Sequence, residues 1–312
     1  MPNFIGDLDQ FDFRKSVFDY QLIKLEFSSA CNAKCSYCLM RKHNNKPSDF
    51  ISPENLKSFL KLNSDYIKNR SLYIEPYFNG ESLLHPLFFD LINIIENSGC
   101  LIGELDTNLS LPLDTQRLAK IKFRGLTVNI GGITQEVHES VMNTSFELAI
   151  NNLKNLYNEP ERKFPMYLKI NPVKLNIYQL KDIEKFLNSI GVNIPIKVQK
   201  TGIPVPTDYC SIFLKKIIND IYDHENPNFF RFKIEPDGHR IIVKEKNFSC
   251  IYQIPCINAD GSLTFCSHDQ LRHFNLGNTF ITPLSELINS NLYKRACLFG
   301  RKKLHNICKG CN

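Results

Sequence analysis

Three closely spaced cysteines are the first residues able to do chemistry. Cys31-Asn-Ala-Lys-Cys35-Ser-Tyr-Cys38 has the spacing C-x3-C-x2-C. Three thiolates on one loop can hold three corners of a cubane iron–sulfur cluster and leave the fourth iron open. A zinc site is the other reading; it wants a fourth Cys or His, and His43 stands five residues beyond Cys38. A second group lies towards the C-terminus. Cys250 and Cys266 bracket Asp260-Gly261, a hairpin-turn dipeptide, and Cys308-Lys-Gly-Cys311 has ligand spacing. Four thiolates from two separated elements make a closed metal site. Cys256 competes with Cys250, because it too precedes Gly261, and Cys297 is either a further ligand or a buried thiol.

The elements that must position these residues alternate in type. Gln21–Phe27 reads as a strand and runs directly into the first cysteines. Ser52-Pro53-Glu54 starts a helix, with Ser as N-cap and Pro at the first helical position. Leu72–Phe78 is a second apolar run and ends in Asn79-Gly80-Glu81. Pro86–Asn97 is an amphipathic helix with Leu87, Leu91, Ile94 and Ile95 as its stripe. Leu101–Asp106 is a strand ending in Thr107-Asn108, and Leu113–Ile121 a short helix. Gly125–Ile130 is a strand followed by Gly131-Gly132, Ser145–Tyr157 a helix, and Met166–Ile170 a strand. Ile177, Leu180, Ile183, Leu187 and Ile190 share a helical face before a last strand at Ile194–Val198. The pattern over 21–200 is a parallel α/β sheet or partial barrel, where chemistry collects at strand C-termini. Residues 1–20 are an N-terminal extension. After residue 200 the alternation stops, and Thr282-Pro283 opens a final helix through about Leu298.

Composition excludes several classes. The chain has 312 residues, of which 43% are hydrophobic and 22% charged, enough to bury a core. Its 11 cysteines are an odd number, which argues against a closed disulfide framework and for a reducing, cytoplasmic setting. The net charge of +6, from 38 Lys and Arg against 32 Asp and Glu, is small for a nucleic-acid binder. Arg301-Lys302-Lys303 reads as a solvated face. No apolar run approaches the roughly 20 residues of a membrane span, and residues 1–20 lack the pattern of a secretory signal.

With these motifs the chain resembles the radical SAM enzymes over residues 21–200. The resemblance rests on Cys31, Cys35 and Cys38, with Tyr37 as the aromatic before the third cysteine, and on Asn79-Gly80-Glu81 where the family has Gly-Gly-Glu. It implies a partial (β/α)6 TIM-like barrel and a [4Fe-4S] cluster on the three cysteines, with its open iron chelated by S-adenosylmethionine (SAM). Reduction then splits SAM into methionine and a 5′-deoxyadenosyl radical, which removes hydrogen from a substrate C–H bond. Tyr37 would pack beside the adenine, and Asn79, Gly80 and Glu81 would lie near the SAM amino group. Asn108 and Asn129 fall at family positions that face the cofactor. Where relatives carry an Arg that clamps the SAM carboxylate this chain has Met142, and Lys169 is the replacement candidate.

Residues 201–312 resemble the auxiliary-cluster domain of the SPASM/twitch subfamily, a small α+β unit. Leu276-Gly277-Asn278 and Pro283-Leu-Ser-Glu286 match that subfamily. The resemblance implies a second [4Fe-4S] cluster on Cys250, Cys266, Cys308 and Cys311; a zinc ribbon is the other reading of those four. A closed cluster accepts or conducts electrons, so the expected enzyme is an oxidoreductase. Its substrate would be a small alcohol, such as a sugar or aminocyclitol, and its electron donor a flavodoxin or ferredoxin. Only 30 residues precede Cys31, too few for the recognition domain that peptide-modifying relatives often carry. Modification of a ribosomally made peptide, by cross-linking or epimerisation, is the alternative. For epimerisation Cys210 or Cys256 is the candidate hydrogen donor. A non-catalytic zinc protein that binds nucleic acid is the reading from another class.

Overall fold

The computed structural model describes residues 21–38, 40, 49–198, 232–234, 240–242, 254–267 and 269–301. Cys210, Cys250, Cys308, Cys311 and His43, and the extension over 1–20, lie outside them.

A wall of parallel strands forms the body. β1 (Leu22–Leu25) pairs with β2 (Tyr73–Glu75), and β2 with β3 (Leu101–Ile102). β4 (Glu104–Thr107) pairs with β5 (Gly125–Ile130), β5 with β6 (Met166–Ile170), and β6 with β7 (Ile196–Val198). The sequence predicts one strand over 101–106; the structure divides it at Gly103. A Cβ there would lie 2.6 Å from Glu75 Cγ and 3.2 Å from Glu75 N, so the backbone passes close to β2 and then turns to β5. The Gly103 N–H still donates to Ile74 O at 2.7 Å, and the Arg124 N–H to Ile102 O at 3.3 Å, which stitches the halves together. The result is the partial (β/α)6 barrel.

The wall gains a strand from far along the chain. β8 (Phe232–Ile234) and β9 (Arg240–Ile242) form an antiparallel pair of their own. β10 (Cys256–Ile257) instead lies parallel to β1, with Cys256 opposite Lys24. It then turns at Asp260-Gly261 into the antiparallel β11 (Leu263–Thr264). Gly261 has φ +85°, a conformation that favours glycine and explains the turn dipeptide.

Helices cover the outer face: α1 (Pro53–Asn69), α2 (Phe88–Asn97), α3 (Thr115–Ala119), α4 (Gln135–Met142), α5 (Phe146–Asn158) and α6 (Ile183–Ser189). Ser52 caps α1 by accepting from the Asn55 N–H at 3.1 Å, with Pro53 at its start. The buried stripe of α2 is Phe88, Leu91, Ile92 and Ile95; Leu87 precedes the helix and is exposed. Starting at Phe88 rather than Pro86 rotates the predicted stripe. α4 escapes the sequence pattern because only His138, Val141 and Met142 are buried on it. The predicted final helix is two, α7 (Leu284–Asn289) and α8 (Asn291–Arg301). Ser290 between them is extended and its Oγ accepts from the Tyr293 N–H at 3.2 Å, so it caps the second helix instead of continuing the first.

Side chains alternate across the wall. Ile23, Leu25, Ile74, Leu105, Val128, Leu168 and Ile170 are fully buried under the helices. The residues between them, Lys24, Glu75, Asp106, Asn129 and Lys169, face the other way, into the barrel. Polar groups thus line the lumen and apolar ones the helix side.

Candidate active site

The loop that follows β1 carries Cys31, Cys35 and Cys38, and three strand or helix ends hold it. The Lys34 and Ser36 N–H groups donate to the carbonyls of Met142 and Val141, both at 2.8 Å. These are carbonyls that the end of α4 leaves without helical partners. Asn32 Nδ2 donates to Ser110 O at 3.0 Å, and Asn32 Oδ1 accepts from Asn108 Nδ2 at 2.9 Å. The Glu81 N–H donates to Ala30 O at 2.8 Å. Cys31 is exposed, and Cys35 and Cys38 are half-buried. Among the described residues no three His, Cys, Asp or Glu side chains are already gathered into a metal-binding group.

Glu81 is the hub of the next strand end. Its Oε1 accepts from Thr107 Oγ1 at 2.9 Å and from the Leu83 N–H at 3.2 Å, and its Oε2 from the Asn108 N–H at 2.9 Å. Burial pushes its carboxyl up to about 7 in spite of those bonds. It caps the short 3-10 turn Ser82–Leu84 and joins the ends of β2 and β4. Gly80 allows the approach: a Cβ would lie 2.2 Å from Ser28 O and 2.4 Å from Ala30 O. Asn79 donates from Nδ2 to Asn258 Oδ1 at 3.5 Å, while its buried Oδ1 has no partner.

Across the lumen, Asp106 accepts from both Lys169 Nζ and Asn129 Nδ2. Lys169, the candidate clamp for a SAM carboxylate, is thus ion-paired within the wall. The buried Asn129 Oδ1 has no partner. Asp106 was not singled out from the sequence; its alternation with Leu105 and Thr107 is the signal that marks it as lumen-facing. The Tyr37 hydroxyl bonds to Asn171 and Cys35, and burial together with Cys35 raises its pKa. Met142 is buried against Gly131, where a Cβ would come within 2.9 Å of its Cγ.

His138 is structural, fully buried between the Gly131 backbone and Thr144. The Gly131 N–H donates to its Nδ1 at 3.2 Å, and its Nε2 meets Thr144 Oγ1 at 3.1 Å. Burial lowers its pKa to about 4, so the ring is neutral and Nε2 carries the proton.

The C-terminal segment touches the same region. Cys256 is fully buried on the lumen face beside Lys24, and its thiol donates to Ile254 O at 3.2 Å. Burial raises its pKa, so it stays a thiol. Cys266 is buried just beyond β11, and Cys297 is buried in the apolar core on α8. Arg272 ties the hairpin to the barrel. It donates to Asp260 Oδ2 at 2.8 Å and to Glu26 Oε2 at 3.2 Å, and the Ala259 N–H donates to the same Glu26 oxygen at 3.0 Å.

Residues 250–312 match the SPASM family, an iron–sulfur cluster-binding domain. The solved structures place the barrel. SuiB of Streptococcus suis, bound to S-adenosylmethionine, superposes with a TM-score of 0.64 at 14% identity, over 87% of this chain and 64% of SuiB. Native anSMEcpe with bound AdoMet gives 0.67 at 18% identity, over 93% and 86%. BtrN in complex with AdoMet and 2-DOIA gives 0.56 at 13% identity, over 94% and 93%. The chain has the radical SAM fold and carries a SPASM segment. It spans just under two thirds of SuiB's length. No curated protein sequence matches it. Within the radical SAM fold, the C-x3-C-x2-C loop sits at the C-terminal end of β1 and the Asn-Gly-Glu stretch at that of β2. Among the described residues no helix is long and apolar enough to cross a membrane.

Proposed function

We propose that this chain is a radical SAM oxidoreductase that dehydrogenates a small alcohol. The observation that carries this reading is the tying of the three-cysteine loop to Glu81 and Asn108, at the ends of β2 and β4. The residues present fit the groups the fold implies. Cys31, Cys35 and Cys38 offer three thiolates for a [4Fe-4S] cluster. The unpartnered Asn79 Oδ1 suits an ammonium and the unpartnered Asn129 Oδ1 a hydroxyl, the donors SAM carries. Bound together, cluster and SAM supply one-electron reduction and hydrogen-atom abstraction from carbon.

The chain's own residues do the rest. Glu81 and Asn108 fix the strand ends that SAM would lie on, and Tyr37 closes the loop side. Asp106, gripped by Lys169 and Asn129, presents a carboxylate in the lumen that can take the hydroxyl proton of an oxidised substrate. Cys266, with Cys250, Cys308 and Cys311, would hold the second cluster that receives the electron. A flavodoxin or ferredoxin would reduce the first. BtrN, whose complex contains 2-DOIA, matches this chain over nearly the full length of both, which supports a small substrate.

The higher TM-scores of SuiB and anSMEcpe favour a second reading. SuiB is bound to the precursor peptide SuiA in one structure, and anSMEcpe to a Cp18Cys peptide in another. On that reading Cys256 would return a hydrogen atom to a peptide. Solvent deuterium in the product selects epimerisation; oxidised product without deuterium selects dehydrogenation.

Anaerobic reconstitution tests the core reading. About eight irons per chain, with sulfide, are expected for two cubane clusters. Chemical reduction in the presence of SAM should release 5′-deoxyadenosine. Zinc in place of iron, or intact clusters that leave SAM whole, would sink the proposal.

A further inference from the structure

Leu109, the second residue after β4, is fully buried and has φ +51°. That left-handed region is costly for any residue with a Cβ, and glycine is its ordinary occupant. A leucine stays there only where its surroundings hold it.

Two hydrogen bonds supply that hold. The Leu109 N–H donates to Thr107 Oγ1 at 3.1 Å, and its carbonyl accepts from Asn152 Nδ2 at 2.8 Å. Asn152 Nδ2 also donates to Leu111 O at 2.7 Å, so both its amide hydrogens serve this one turn. Asn152 is a buried amide in the middle of α5, among Ala149, Ile150, Leu153 and Leu156. A polar group on such a face is costly unless bonded, and its bonds go to these two carbonyls. The start of α5 grips the same turn, since Ser110 Oγ donates to Ser145 O at 3.1 Å.

The residues on either side of Leu109 share one partner. Asn108 Nδ2 donates to Asn32 Oδ1 at 2.9 Å, and Ser110 O accepts from Asn32 Nδ2 at 3.0 Å. The Ser110 N–H donates in turn to Asn108 Oδ1 at 2.8 Å. The Asn32 amide is thus clamped at both ends by residues whose relative placement the Leu109 backbone sets. Asn32 adjoins Cys31 in the chain.

We infer that Asn152 and Leu109 form a latch: Asn152 holds Leu109 left-handed, and that turn fixes Asn32 and the start of the cysteine loop. Both act through Asn32 and are positioning residues. Their bearing on SAM rests on the radical SAM reading above and deepens it.

Volume and backbone make opposite demands at residue 109, which gives the test. Leu109→Val keeps most of the apolar volume, but a β-branched residue tolerates positive φ poorly. Leu109→Gly loses the side chain but accepts the φ. A residue that merely fills the core is damaged more by glycine; a latch is damaged more by valine. Hydrogen exchange over residues 28–38 of the metal-free protein is measured relative to β6, which reports global opening. SAM binding to the reconstituted protein is measured beside it. Leu109→Val should exchange about ten-fold faster than Leu109→Gly over 28–38 and bind SAM about ten-fold more weakly. Asn152→Leu removes both donors at similar volume and should behave as Leu109→Val does. Adding Leu109→Gly to Asn152→Leu should recover loop protection and SAM affinity while lowering stability further. The reverse order of valine and glycine, or no recovery in the double variant, overturns the inference. If the unaltered reconstituted protein binds no SAM, the radical reading fails, and the exchange order alone then decides the latch.

Discussion

Gly80 and Ser28 approach so closely that a Cβ on Gly80 would stand 2.2 Å from the Ser28 carbonyl oxygen. The obstacle is backbone, which cannot swing aside as a side chain can. This contact holds the Asn-Gly-Glu stretch against the segment leading into Cys31, and the Glu81 N–H bond to Ala30 O follows from it.

Gly80→Ala should therefore separate the two segments. The expected cost is about 1–3 kcal/mol of stability, as for overpacking elsewhere. SAM affinity should fall more than stability does, because the strand end that carries Glu81 moves. Denaturant melts and equilibrium SAM binding on the reconstituted protein measure the two separately. Unchanged SAM affinity would show that the contact is not what positions Glu81.

His138 gives a pH signature. Its folded pKa of about 4 lies below the ordinary 6.5, so the unfolded chain takes up a proton first as pH falls. The stability is fully present above pH 6.5 and is lost as pH drops towards 4, by on the order of 3 kcal/mol. His138→Gln should be less stable at pH 7 through lost hydrogen bonds, yet should fall less between pH 6.5 and 4.5. Urea titrations at several pH values compare the slopes; parallel slopes would refute this account.

Glu81 runs the other way. Its folded carboxyl, at about 7, binds a proton more tightly than the unfolded one at 4.5. Stability of the metal-free protein is highest below pH 4.5 on this account and declines as pH rises to about 7, by on the order of 3 kcal/mol. Glu81→Gln should remove that decline while giving up a hydrogen bond, since all three groups that meet the carboxylate are donors. The difference between the two proteins' pH profiles, from pH 4.5 to 7.5, is the measurement.

Arg272→Met should loosen the hairpin from the barrel. It leaves the fully buried Glu26 without its cation and should cost about 3 kcal/mol. Adding Glu26→Gln should recover part of that loss, because no buried charge then remains uncompensated. Additive losses in a double-mutant cycle would mean that the pair does not couple the two segments.

Much of the site was legible because its chemistry is local. The spacing of Cys31, Cys35 and Cys38 lies within eight residues, and Asn79-Gly80-Glu81 ends an apolar run over 72–78 whose first part is β2. The capping of α1 by Ser52 and the turn at Asp260-Gly261 are equally local, and the structure has both. α4 was missed because just three of its eight residues face the core, too few for a periodic stripe. The division at Gly103 was missed because it depends on how near Glu75 lies, and Glu75 is 28 residues away in the chain.

The sequence by itself determined the cysteine spacings, the alternation of strands and helices, and the strand ends that the first cysteines and the Asn-Gly-Glu stretch follow. Those follow from side-chain type, spacing and backbone preference within short windows. Only the tertiary structure decided that Lys169 meets Asp106, that Glu81 bridges two strand ends, and that Cys256 joins the wall beside Lys24. Each of these depends on strand register, and register is set by packing the whole barrel rather than by any one segment.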